Sequence, residues 1–406
     1  MHCPGNHLIL IELQYGNVKY KLSIFTSANL TYWAGVEKAL YYYCLYAPDD
    51  FQIQIINNPY HAKVNIAPES IKSLFYKACI TELDLCTWKI STIYPRLFEF
   101  FLRSVVLERL LVHIDSIFHR KAIKDILNDA DLVYLVKNSF SAYVPKCGAR
   151  PIVIGSEHVY DFYSLGESGI VKGIIFKLLN LNFINRGMDK IHLISNASLS
   201  LYRNNSKFFC AQNGVDTALF QPSDKLHCGK VKLLFVSRLE VSKGIIDVID
   251  AFNEIDNENF ELYIAGNGSL YDSVKAQENE KIHVLGFVDE VELRRLFSDS
   301  DILIFPTKAE SFPLVLLEAL SSGLFVLASD ILRMKFHEFQ VLNCIDFIAP
   351  DRDGVINGIK SAESKIDTIR NLERKNNAHK FMEENYDWKI VVEKLFSQFR
   401  SFIDQT

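Results

Sequence analysis

The chain has 406 residues, more than the roughly 100 to 200 of one ordinary domain, so two domains are expected. Hydrophobic residues make up 49% and charged residues 23%, a globular balance that excludes a disordered or fibrous chain. A net charge of -5 with no Lys/Arg-rich run excludes a protein whose main partner is nucleic acid.

The opening residues, MHCPGNHLILIELQYG, have no basic segment ahead of their apolar stretch, unlike a secretory signal, and predict a cytoplasmic location. A hairpin turning at Gly16-Asn17 is predicted next. Strands are then expected at 21–26 (KLSIFT), 51–56 (FQIQII), 131–136 (DLVYLV), 151–155 (PIVIG) and 190–195 (KIHLIS), with helical patterns between them. Glu99, Arg103, Glu108 and Arg109 interrupt the most apolar stretch, so no transmembrane helix is expected. Two apolar runs with interspersed cations, 97–118 and 170–187, read first as core helices and second as peripheral contacts with an anionic membrane. The eight cysteines are scattered without a C-x-x-C pair and read as reduced, mostly buried thiols.

Gln221-Pro222-Ser223-Asp224 interrupts the pattern and reads as a linker, with the boundary near residue 225. Five further strands are predicted at 231–237 (VKLLFVS), 260–266 (FELYIAG), 281–286 (KIHVLG), 301–306 (DILIFP) and 324–329 (LFVLAS). Asp289 followed by Glu292 forms a capping box that starts a helix, and from Trp388 an amphipathic helix closes the chain. Strands alternating with helices give an α/β fold of two Rossmann-like domains facing a cleft. These are an N-terminal acceptor-binding domain, 1–224, and a C-terminal donor-binding domain, 225–385. The last helix, 386–406, would pack back toward the first domain.

In VSRLEVSKG, Arg238 lies just past a strand end and Lys243 near the start of the next helix. Ligands of open α/β sheets bind beyond the carboxyl ends of the strands, where helix N-termini also offer N–H groups to anions. Two cations there suit a diphosphate and its developing charge on departure, although two solvated surface cations give the same pattern. Glu310 and Glu318 stand eight positions apart across a helix start, with Pro313 suited to its first turn. Glu318 falls among Leu314, Leu316, Leu317 and Leu320, where a carboxylate needs a hydrogen-bonding partner such as a ribose diol, unless it faces solvent.

These residues resemble the GT-B fold glycosyltransferases of family 4, the group 1 glycosyl transferases. Glu310 to Glu318 is similar to the family's E-x7-E element, Arg238 with Lys243 to its phosphate-binding pair, and Gln212-Asn213-Gly214-Val215-Asp216 to its interdomain N-G-V-D turn. LYIAGNGSL resembles its strand and glycine turn. The resemblance is dense over 190–330 and thin in the first domain. It implies retaining, metal-independent transfer of a sugar from a nucleoside diphosphate donor to a hydroxyl acceptor, as in glycan biosynthesis. Glu318 would hold the ribose, Glu310 would approach the donor sugar, and Arg238 with Lys243 would neutralise the diphosphate. Ser237 and the backbone N–H groups of Phe312, Leu314 and Val315 would complete the donor site with Ser311 and Pro313. The base would lie near Gly266 and Gly286 to Val288. His158, after strand PIVIG, resembles the family's histidine facing the donor sugar. Ala34-Gly35-Val36-Glu37 resembles its G-G-x-E loop with alanine in place of the first glycine, and Ser311 replaces a usual glycine after Glu310.

Two patterns point elsewhere. Asp129-Ala130-Asp131 and Asp299-Ser300-Asp301 match a metal-binding D-x-D motif, but each precedes a strand and so lies at the end of the sheet opposite the cleft. No metal and no cofactor is expected. Gly266-Asn267-Gly268 begins a dinucleotide-binding pattern that lacks its third glycine. The partners expected are a nucleotide-sugar such as a UDP-sugar or GDP-sugar and a glycan, lipid-linked or small-molecule acceptor, with peripheral membrane contact as an option. A sugar-nucleotide epimerase or phosphorylase of similar fold, or a non-catalytic nucleotide-sugar-binding scaffold, are the competing functions.

Overall fold

The computed structural model describes residues 18–26, 35–57, 78–82, 120–136, 151–157, 188–200, 205–223, 229–255, 257–310 and 312–406. The expected hairpin at Gly16-Asn17, the runs 97–118 and 170–187, His158 and Ser311 lie outside the described residues.

The strands are β1 (Tyr20–Thr26), β2 (Phe51–Asn57), β3 (Ala78–Glu82), β4 (Leu132–Leu135), β5 (Ile152–Glu157), β6 (Lys190–Leu193), β7 (Phe208–Cys210), β8 (Val231–Val236), β9 (Phe260–Ala265), β10 (Ile282–Gly286), β11 (Ile302–Phe305), β12 (Phe325–Ser329) and β13 (Ile345–Ile348). Helices α1 (Gly35–Leu45), α2 (Arg120–Asn128) and α3 (Asn196–Ser200) belong to the first part of the chain. In the second part come α4 (Ile245–Ile255), α5 (Tyr271–Lys275), α6 (Glu290–Asp299), α7 (Leu314–Ser321), α8 (Arg333–Phe336) and α9 (Arg352–Glu363). The chain finishes with α10 (Ile366–Arg370), α11 (Leu372–Tyr386) and α12 (Trp388–Asp404).

The first sheet runs β3-β2-β1-β4-β5-β6-β7 and the second β10-β9-β8-β11-β12-β13. Every pairing is parallel. Each order reverses direction beside its first strand, between β1 and β4 and between β8 and β11. Such a switch point opens a crevice beyond the strand ends, because neighbouring connections leave toward opposite faces of the sheet.

All ten predicted strands form, generally shorter at one end or both. Strands β3, β7 and β13 were not expected from the sequence, and all three are sheet edges. An edge strand is covered less completely than a central one, so ACITE, FFC and IDFI lack the long apolar runs of β8 or β11. The cap at α6 forms on one side: the Asp289 carboxylate accepts from the N–H of Glu292 at 2.8 Å, while the Glu292 carboxylate turns to Arg295. Cys44, Cys79, Cys210 and Cys344 are free, and burial pushes the Cys44 and Cys210 thiols up to about 12, which keeps them unreactive. Among the described residues, no helix is long and apolar enough to cross a membrane.

Helix α12 docks on the first sheet. The Phe396 ring meets that of Phe51 edge-on at 4.8 Å, Trp388 stacks on Tyr42 at 4.9 Å, and Arg400 Nε donates to Asp50 at 2.9 Å. Phe396 is completely buried among these residues. Phe396→Ala is therefore expected to cost about 3 to 5 kcal/mol, as truncation of a buried ring leaves a cavity. Urea unfolding followed by tryptophan fluorescence measures it.

The chain passes between the two sheets twice, and the passages lie side by side. Val215 bridges to Asp387, its N–H donates to the Tyr386 carbonyl at 2.8 Å, and the Trp388 N–H donates back to the Val215 carbonyl at 3.2 Å. The N-G-V-D segment is thus the outward passage. A Cβ at Gly214 would lie 2.8 Å from the Trp388 ring and 2.9 Å from the Tyr386 carbonyl, so the close approach requires glycine.

Candidate active site

The switch point of the second sheet gathers most of the predicted site. Beyond β8 the chain leaves through Ser237, whose N–H donates to the Ala265 carbonyl at 3.2 Å, and the Leu239 N–H donates to Asn267 at 3.0 Å. These bonds press the turn after β9 against the turn after β8. Gly266 sits at φ +146°, and a Cβ there would lie 1.9 Å from the Ser237 carbonyl oxygen. Its N–H donates to the Gly286 carbonyl at 2.7 Å, which brings the end of β10 alongside. The result is a backbone ledge, with the Phe287 ring 81% exposed at its rim and Val288 half-buried behind it.

Next to the ledge lies a cluster of opposite charges. Lys243 closes a 3-10 turn, Val241–Lys243, that leads into α4. Its Nζ donates to Glu310 Oε2 at 2.8 Å and to the Ala309 carbonyl at 3.3 Å, with only 11% and 20% of the Lys243 and Glu310 side chains exposed. The Lys308 N–H donates to the Ser242 carbonyl at 2.8 Å, tying the loop after β11 to the turn after β8. From below, the buried Lys335 on α8 donates to the Glu310 carbonyl at 3.1 Å. Sequence reasoning missed Lys335. Its only signal is a second cation, after Arg333, within the mainly apolar run ILRMKF that follows strand LFVLAS and Asp330.

Arg238 departs from the expectation that both cations face one site. It occupies the strand end, but its side chain is 72% exposed and pairs with Glu240 at 2.8 Å rather than with Glu310. The backbone there is fixed by the ledge; the long side chain is free to follow solvent and the nearest carboxylate.

Helix α7 closes the site. Phe312 and Pro313 are buried, and Pro313 is the N-cap at φ -78°, ψ 113°, just before the first turn in which the sequence placed it. The extended ψ turns the chain into the helix only at Leu314. Leu314 and Val315 head the first turn, where helix geometry leaves N–H groups without partners inside the helix. Glu318 lies one turn further and is 6% exposed, which excludes the solvent-facing alternative.

The partner of Glu318 comes from the other sheet and leaves no signal in the sequence. Lys38 Nζ, on α1 of the first sheet, donates to Glu318 Oε1 at 2.6 Å. Gly35, which begins α1 rather than lying in a loop, sits close to the same helix: a Cβ there would be 3.8 Å from Leu314. Tyr42 completes the stripe by donating to Asp216 at 3.1 Å. Burial, with the Asp216 carboxylate next in weight, raises the Tyr42 hydroxyl well above its ordinary range and keeps it a neutral donor.

The D-x-D acids are engaged at the strand entrances. Asp131 accepts the Lys21 N–H at 2.7 Å and Asp129 the Lys21 ammonium at 2.6 Å. Asp301 is fully buried, accepting the Arg370 guanidinium at 2.9 and 3.0 Å and the Lys232 N–H at 3.0 Å. Asp301 lies at one end of β11 and Glu310 beyond the other.

Residues 220–386, which hold the ledge, Lys243, Glu310 and Glu318, match the family model described as Glycosyl transferases group 1. Over these residues the chain resembles that family. An uncharacterized glycosyltransferase of Methanocaldococcus jannaschii is 28% identical over 177 residues, 41% of this chain and 44% of that protein. The phosphatidyl-myo-inositol mannosyltransferase of Mycobacterium tuberculosis is 29% identical over 202 residues, 45% of this chain and 51% of that protein. The chain thus spans about half the length of these curated relatives. An Anabaena protein crystallised with UDP-glucose superposes with a TM-score of 0.64 at 14% identity, over 94% of this chain and 100% of that one. At that identity the likeness is one of fold. The chain has the GT-B architecture, with two parallel α/β sheets.

Proposed function

We propose that the chain is a retaining glycosyltransferase that moves a sugar from a nucleoside diphosphate donor to a hydroxyl acceptor. The observation that carries the reading is the Lys243–Glu310 pair at the switch point, 2.8 Å apart and largely shielded from water, one loop away from the buried Glu318. Glu318 accepts from the ribose hydroxyls. Glu310, aimed by Lys243 and with its backbone held by Lys335, accepts from hydroxyls of the donor sugar. Lys243 neutralises the diphosphate, helped by the first-turn N–H groups of α7 and joined by Arg238 when its exposed side chain swings from Glu240 to the ligand. His158 and Gly35 meet the sugar from the acceptor side.

In the reaction the bond from the anomeric carbon to the diphosphate oxygen breaks, and its electron pair leaves with the diphosphate. The acceptor oxygen bonds to the anomeric carbon on the same face and its proton passes to a departing phosphate oxygen. Side-chain cations carry the charge in this scheme, so it needs no metal. Donor binding falls to 225–385 and acceptor binding to 1–224. The UDP-glucose bound by the Anabaena neighbour favours a UDP-sugar, and the mycobacterial relative's name favours a lipid-linked acceptor.

A thermal-shift panel of UDP, GDP, UDP-glucose and GDP-mannose tests the reading. The matching nucleotide at a hundred times its Kd is expected to add about 2.7 kcal/mol of stability, a shift of several degrees. No shift with any of the four overturns the proposal.

A further inference from the structure

Helix α1 carries Gly35, Lys38 and Tyr42 at helical spacing, so the three lie on one stripe. Gly35 and Lys38 meet the second part of the chain, at Leu314 and Glu318, and Tyr42 binds Asp216 in the passage between the sheets. The middle contact is the one with chemical consequence. Only 12% of the Lys38 side chain and 8% of the Glu318 side chain are exposed, so the pair is not an ordinary surface contact. The centroid of the buried Phe220 ring lies 5.9 Å from the ammonium and gives the pair an apolar neighbour.

We propose that Lys38 is a specificity-determining residue of the donor site, holding Glu318 Oε1 so that Oε2 faces the ribose diol. The inference rests on the reading of Glu318 as the ribose-binding acid. Among the described residues, Lys38 is the ion-pair partner of Glu318 and it occupies Oε1. A carboxylate has two oxygens with about four acceptor positions, so Oε2 is left to accept from two neighbouring hydroxyls. The ammonium also supplies the counter-charge that a desolvated carboxylate requires. Because Lys38 and Glu318 come from helices on different sheets, the diol is read only when the two parts of the chain are in contact. Lys38 acts here through Glu318 and is a positioning residue.

The test compares the full chain with Lys38→Met and Lys38→Arg by titration calorimetry against UDP, GDP and their 2′-deoxy forms. The wild type is expected to bind the matching ribonucleotide roughly tenfold more tightly than its deoxy form, the scale of a hydrogen bond to a charged group. Lys38→Met is expected to lose most of that ratio by weakening the ribonucleotide, with the deoxy form changed by less than about threefold; Lys38→Arg is expected to regain part of it. Near-ultraviolet circular dichroism confirms that each variant is folded, and Lys38→Arg keeps the test decisive if Lys38→Met is not. An undiminished ratio in the folded substitutions, or tighter ribonucleotide binding by Lys38→Met, overturns the proposal and leaves the reading of Glu318 standing. A wild type that binds neither nucleotide, or that binds ribo and deoxy forms alike, overturns that reading and the proposal together.

Discussion

Lys243→Met is expected to lower the transfer rate by about 100- to 1,000-fold, the loss that follows removal of one preorganised group facing developing charge. The ammonium has two roles at one position. It lies 2.8 Å from Glu310 Oε2, so it aims the acid, and it stands at the strand end where a diphosphate would leave. Methionine keeps the length and apolar stem of the side chain but removes the charge. The stability cost is expected to be smaller, about 1 to 2 kcal/mol, because the Glu310 side chain is 20% exposed and retains some hydration. A Lys243→Met/Glu310→Gln double substitution separates the roles. Removing both charges avoids an uncompensated carboxylate, so the melting temperature should recover while transfer stays low. Steady-state kcat and KM with a donor used by the wild type, beside a thermal melt, measure both effects. Transfer by Lys243→Met within threefold of wild type would sink the assignment of Lys243 to the reaction.

What was legible in the sequence follows from burial. The central strands of a parallel sheet are covered on both faces, so β11 reads as an unbroken apolar run and β8 as one interrupted only by Lys232 near its start. Glu318 was legible because a carboxylate among four leucines has few explanations. The N-G-V-D segment could be recognised as a pattern, but its cause is Trp388 and Tyr386, more than 170 positions downstream and pressed against Gly214. Lys38 was not legible for the same reason. In GVEKALYYYCL it has the spacing of any solvated lysine, and its partner is 280 positions away. Arg238 shows the opposite limit. The strand end that carries it is readable, whereas the direction of its side chain is decided by Glu240, two residues on. A sequence pattern places backbone at a sheet edge; tertiary contacts decide which charges meet there.

The ledge supplies the second large effect. Gly266→Ala is expected to cost about 4 kcal/mol and to abolish the thermal shift given by a nucleotide, because strain and collision add at one position. Strain alone is measured at Gly229, where φ is +107° and an added Cβ meets nothing within 4 Å among the described residues. Gly229→Ala should therefore cost only about 1 kcal/mol, the penalty of a positive φ on an L-residue. The difference between the two substitutions isolates the 1.9 Å approach to the Ser237 carbonyl. That approach has little room to relax. Ser237 is tied to Ala265, Leu239 to Asn267 and Gly266 to Gly286, so moving either turn breaks at least one backbone bond. Nucleotide binding should fail along with stability, since the same bonds set Lys243 and the Phe287 rim around one crevice and fix the strand end that carries Arg238. Urea unfolding of both variants, with and without the nucleotide that stabilises the wild type, gives the comparison. If Gly266→Ala unfolds like Gly229→Ala, the turn has room to rearrange and the ledge does not hold the site in place; if it loses stability but keeps the nucleotide shift, the ledge supports the sheet and not the ligand.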